Sequence, residues 1–176
     1  MKKNNYLIIG GAGFIGSNLA EKLSQKQNNK CYIIDKFHKD SGASMNNIPN
    51  RKNIVVLNSN ISKIKNFRKL IQNSNYIFCL QGLNGHSHSM NFPIEDAKEN
   101  IITNLFILEN CKKYNPNIKI FYTSTRQVYG KQISKKLVSE NLKTNPLDIN
   151  GISKVSSEMY YSFYKKYYDL NITILR

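Results

Sequence analysis

YLIIGGAGFIGSNL, residues 6–19, decides the fold. An apolar run passes directly into glycines. Apolar residues then return at Ile15, Leu19 and Leu23, the spacing of one helical face. The stretch therefore reads as strand, tight turn and helix. Gly10, Gly13 and Gly16 have the spacing G-x-x-G-x-x-G. A glycine triplet alone is a weak signal, but between a strand and a helix it has a physical reading. The first glycine permits the turn, the second lets a phosphate approach the backbone, and the third lets helix and strand pack closely. The helix start then offers free N–H groups and a partial positive charge to a pyrophosphate. Phe14 and Ile15, between the second and third glycines, join them as candidate cofactor contacts.

The same alternation continues along the chain. Short apolar runs at 31–35, 54–57, 76–80, 119–124 and 171–175 read as further strands. Helical spacing marks residues 15–27, 63–72, about 93–114 and 151–168. Strands that are apolar throughout, separated by helices, imply a parallel sheet covered on both faces. The expectation is an α/β fold, a Rossmann-like doubly wound parallel sheet with helices on both faces. Asp35 ends the second strand, nineteen positions after Gly16. A carboxylate there accepts hydrogen bonds from a ribose diol and repels a ribose phosphate, so NAD is favoured over NADP.

Composition excludes other classes. The net charge is +15, but the lysines are spread along the chain and only four of the 26 basic residues are Arg. Arg is the residue that reads bases and phosphates bidentately, so no nucleic-acid partner is expected. Cys31, Cys79 and Cys111 are far apart in apolar segments and read as buried small hydrophobes. The start, MKKNNYLIIGGAGFIG, is too short in its apolar run for a signal peptide. No stretch approaches the ~18 apolar residues of a membrane span. The expectation is a soluble, cytoplasmic protein with no membrane partner.

IIGGAGFIGSNL (8–19) resembles the NAD-dependent epimerase/dehydratase family of the extended short-chain dehydrogenase/reductase superfamily, which acts on nucleotide sugars. The resemblance continues in register. Asn60-Ile61 stands where the family has an acidic residue and Ile against adenine. Leu80, Gln81 and Gly82 stand where small and apolar residues face the cofactor. Ser89 to Pro93, Asn100-Ile101 and STRQVYG (124–130) follow, then N-x-x-x-K from Asn150 to Lys154 and Ser157-Glu158.

What this resemblance implies is specific. In the family a Tyr takes a proton from a sugar hydroxyl while hydride passes from its carbon to NAD. A Lys one turn on favours the phenolate and holds the nicotinamide ribose, and a Ser or Thr on the fifth strand bonds the reacting oxygen. By this alignment Thr125 is the hydroxyl residue and Lys154 the lysine, and Asn150 takes the place of the Tyr. A carboxamide does not titrate in the useful range, so Asn150 is no general base. Tyr160 and Tyr161 lie two to three turns along and are no stand-ins. Arg126 and Gln127 stand where sugar dehydratases of the family carry an acidic pair, which points to an epimerase-like activity. The runner-up is an NAD-binding homologue that is non-catalytic or degenerate, lacking the general-base Tyr.

His86 and His88, without a nearby Cys, Asp or Glu in sequence, are not read as a metal site. A replacement base there is the sharper idea, because His titrates near neutrality. The aromatics of YYSFYKKYYDL (160–170) are read as packing against the sheet. The resemblance implies a nucleotide-sugar substrate and a homodimer through a helix pair that includes this helix. The family continues well past residue 176, so residues 1–176 are expected to be one dinucleotide-binding domain, cut before the substrate-binding part.

Overall fold

The computed structural model describes residues 3–39, 41–82, 86–131 and 138–176, the side chain of His86 excepted. Six strands form one parallel sheet: β1 Asn5–Ile9, β2 Lys30–Asp35, β3 Ile54–Asn58, β4 Tyr76–Cys79, β5 Lys119–Thr123 and β6 Ile172–Leu175, in the order β3-β2-β1-β4-β5-β6. In register, Ile8 pairs with Ile33 on β2 and with Phe78 on β4.

Alternation along β1 sends its side chains to opposite faces. Leu7 and Ile9 join a core with Ile34, Ile77, Ile107, Leu108 and Tyr161. Tyr6 and Ile8 join a second core with Ala20, Cys31 and Ile33. Helix α1, Phe14–Ser24, covers the second face. Helices α2 (Phe67–Gln72), α5 (Thr103–Tyr114) and α6 (Ile149–Tyr167) cover the first. Each fully buried Leu or Ile contributes about 1.5–3 kcal/mol relative to exposure. Both faces are covered, as the unbroken apolar strands imply. The three cysteines are fully buried.

Several local expectations change. The helix expected over 63–72 begins only at Phe67, after a 3-10 turn at Ile61–Lys63. Residues 86–91, outside the segments with helical spacing, form the short helix α3, His86–Asn91. The single helix expected over 93–114 is α4 (Pro93–Ala97), a π turn at Lys98–Ile102, and α5. Pro93 opens α4 because its missing N–H is not needed there. Helix α6 starts two residues earlier than its apolar spacing suggests, because Asp148 caps it by accepting from the Gly151 N–H at 2.6 Å. Only one side of the aromatic stretch is buried. Tyr161 and Tyr164 pack inward, while Tyr160, Phe163, Tyr167 and Tyr168 are exposed.

Candidate functional site

The sheet order reverses direction at β1. Its carboxyl end opens between the loops of β2 and β4, where such sheets form a crevice. A cleft of about 360 Å³ lies there. Gly10, Gly13, Phe14, Ile15, Gly16, Asp35, Asn60, Ile61, Leu80, Gln81 and Gly82 all line it. Gly10 has φ +76°, and a Cβ on it would lie 2.7 Å from the Gln81 nitrogen. A Cβ on Gly16 would lie 2.5 Å from the Gly11 Cα, so this glycine lets α1 pack on the turn. No side chain caps α1, whose first-turn N–H groups belong to residues that line the cleft.

Asp35 is anchored on both oxygens. Oδ2 accepts from the Ala12 N–H at 3.0 Å and Oδ1 from the Phe37 N–H at 2.9 Å. The carboxylate thus ties the glycine turn to the segment after β2 and keeps further acceptor lone pairs unused by these two bonds. Asn60 caps its 3-10 turn by accepting from the Ser62 N–H at 3.0 Å. Gln81 donates to Asn104 Oδ1 at 2.8 Å.

Lys154 lies behind Gly82. A Cβ on Gly82 would be 3.4 Å from Lys154 Nζ and 2.9 Å from Asn100 Oδ1. Nζ donates to the Thr123 carbonyl at 3.1 Å. Burial lowers the Lys154 pKa to about 8, against the raising pull of the Asp96 carboxylate. Thr125 caps the 3-10 turn Arg126–Tyr129, its Oγ1 accepting from the Gln127 N–H at 3.3 Å. Asn150 is buried and donates to Asp96 Oδ1 at 3.2 Å. Thr125, Asn150 and Lys154 are not among the residues lining the cleft.

Sequence reasoning missed Asp96. It is fully buried, and Asn100 Nδ2 also donates to its Oδ1, at 2.9 Å. The contact belongs to a polar seam between the 96–104 segment and α6: Asn150 on Asp96, Ser157 on the Asn100 carbonyl, and Tyr161 on Asn104 Oδ1. Glu158 was likewise only a motif letter. It is buried, receives Ser124, and pairs bidentately with Arg176 through Nε at 3.1 Å and Nη2 at 2.6 Å.

His88 does have an acid nearby. Its Nε2 lies 3.6 Å from Glu95 Oε2, and His38 Nε2 lies 3.5 Å from Glu95 Oε1. The side chain of His86 lies outside the described residues. Among the described residues no group of three or more His, Cys, Asp or Glu is arranged to hold a metal ion, and no helix is long and apolar enough to cross a membrane.

The fold and the glycine-lined cleft define a Rossmann-like protein. The chain belongs to the family described as GDP-mannose 4,6 dehydratase, whose family model matches residues 7–176. It is 30% identical to an uncharacterised UDP-glucose epimerase of Bacillus subtilis, over 97% of this chain and 54% of that protein. It is 27% identical to UDP-glucuronate 4-epimerase 4 of Arabidopsis thaliana, over 97% of this chain and 40% of that protein. Among solved structures, UDP-glucuronic acid 4-epimerase from Bacillus cereus, in complex with UDP-glucuronic acid and NAD, superposes with TM-score 0.87 at 27% identity. That match covers 98% of this chain and 55% of the other. UDP-N-acetylglucosamine 4-epimerase from Methanobrevibacter ruminantium M1 gives TM-score 0.88 at 28% identity, covering 100% and 55%. The chain spans about half the length of the relatives it matches.

Proposed function

We propose that this chain is the dinucleotide-binding part of an NAD-dependent nucleotide-sugar epimerase-type protein. The observation that carries the proposal is the cleft: eleven of the expected cofactor contacts, from four separate segments, line it, with the Asp35 carboxylate anchored on two backbone N–H groups. In this reading the α1 N-terminus holds the pyrophosphate, Asp35 the adenosine ribose, Asn60 and Ile61 the adenine, and Lys154 the nicotinamide ribose. When bound, NAD supplies a hydride acceptor for a sugar carbon. In this reading Thr125 holds the reacting oxygen, and Asn150 has no titrating group with which to accept its proton. The exposed apolar face of α6, with Met159, Phe163 and Tyr167, fits packing against a second copy.

The test is fluorescence titration with NADH. Binding to the wild-type chain is expected, and Asp35→Ala should weaken it about tenfold, a loss of about 1.4 kcal/mol. Absence of NADH binding removes the proposal. One observation favours a non-catalytic NAD-binding protein instead: the Asn150 side chain is buried and engaged by Asp96. The protein extended by its substrate-binding part separates the two. Reduction of bound NAD by a sugar nucleotide supports the enzyme, and its absence supports the binding protein.

A further inference from the structure

Two contacts join the segment after β2 to the helical segment beginning at Pro93, and one of them, Lys36 to Glu99, lies between residues that line the cleft. The segment after β2 supplies Lys36 and His38. The helical segment beginning at Pro93 supplies Glu95 and Glu99, one turn apart. Lys36 Nζ lies 2.7 Å from Glu99 Oε1, with side-chain exposures of 30% and 16%. His38 faces Glu95 one turn earlier, at 3.5 Å. Among the described residues, Asp35, Lys36, His38 and Glu99 are the charged or titratable ones lining the cleft.

This arrangement bears on which dinucleotide the cleft accepts. Discrimination in such folds depends on the charge beside the adenosine ribose. A carboxylate suits a free 2′-hydroxyl, and a cation suits a 2′-phosphate. The chain carries both in succession, Asp35 and then Lys36. Among the described residues, Lys36 is the sole Lys or Arg lining the cleft. If its ammonium were free it would be available to a phosphate, but Glu99 holds it across the cleft. The pair is partly screened from water, so it is held more firmly than a surface pair. With Lys36 matched to Glu99, no other Lys or Arg among the described lining residues offsets the Asp35 carboxylate.

We propose that Glu99 is a specificity-determining residue: by sequestering Lys36 it withholds the cation a 2′-phosphate would need. The inference deepens the dinucleotide reading and rests on it.

The test compares Kd for NADH and NADPH at one ionic strength, for the wild-type chain, Glu99→Gln and the double variant Lys36→Ala/Glu99→Gln. In Glu99→Gln the ratio Kd(NADPH)/Kd(NADH) is expected to fall about tenfold. In the double variant the ratio should return towards the wild-type value. An unchanged ratio in Glu99→Gln overturns the proposal. So does a fall that persists in the double variant, since removal of a negative charge alone would then explain it. If Glu99→Gln does not fold, Lys36→Ala replaces it. That variant leaves the Glu99 carboxylate unmatched and should raise the ratio, and an unchanged ratio overturns the proposal. Failure of the wild-type chain to bind NADH overturns the dinucleotide reading itself, and this inference with it.

Discussion

Asn150 Nδ2 donates to Oδ1 of the fully buried Asp96, 3.2 Å away and 54 residues earlier in the chain. The position that the resemblance assigns to a phenol therefore holds a group with a structural partner. A carboxamide can donate to a carboxylate at no electrostatic cost. A second acid could not do so while ionised.

Asn150→Asp should therefore destabilise the fold at neutral pH, by about 3 kcal/mol, because two buried carboxylates would face each other. The variant pair shares a proton in the folded state, which raises its folded pKa. The folded state then binds more protons than the unfolded one, and the penalty eases as pH falls. Urea denaturation at pH 7 and at pH 5 measures this. Equal stability of variant and wild type at pH 7 would show that the Asp96 contact carries no weight.

Lys154 gives a pH dependence of the opposite sense. Its folded pKa is about 8, below the ordinary 10.5. Between those values the unfolded chain binds more protons, so stability rises with pH. The stability of wild type minus that of Lys154→Met should thus increase by about 3 kcal/mol between about pH 7 and about pH 10.5. Below pH 8 the difference should be flat. A difference that stays constant across the whole range would mean that Lys154 titrates at its ordinary value.

Arg176 is the partner of a buried acid. Besides its bonds to Glu158 it donates through Nη1 to the Tyr129 hydroxyl at 3.1 Å and to the Glu140 carbonyl at 2.9 Å. Arg176→Ala leaves the Glu158 carboxylate, 7% exposed, without its cation. A loss of about 3 kcal/mol is expected. Arg176→Lys should recover little, because an ammonium cannot reproduce the fork. Thermal melting distinguishes the two variants, and full recovery by Lys would reduce the contact to simple charge pairing.

The legible parts of this molecule are those encoded locally. Each strand is a short apolar run, and each was placed within one or two residues. Asp35 was visible because strand, glycine turn and acid lie within thirty residues of one another. Asp96 was not, because PIEDAK reads as a solvated helical face until α6 is laid against it. The π turn at Lys98–Ile102 has no local signature, since one extra residue in a helical turn barely disturbs apolar spacing. HSHSMN carries neither period, so its helix went unread. Glu99 and Lys36 are each ordinary surface letters, and only the closing of the cleft brings them together.

The strand order also fixes a schedule. β1, β2 and β3 are consecutive in sequence and adjacent in space, so they can pair as soon as residues 5–58 have left the ribosome. The other edge of β1 must then wait for β4, about seventy residues downstream of its partner. Until Tyr76–Cys79 arrives, Tyr6 to Ile9 present an open apolar edge in the middle of the future sheet. Such long-range parallel pairing is slow to form. The nascent chain accordingly exposes that edge from the emergence of β3 until residues 76–79 have left the ribosome, and a pause in translation within that interval would lengthen the exposure.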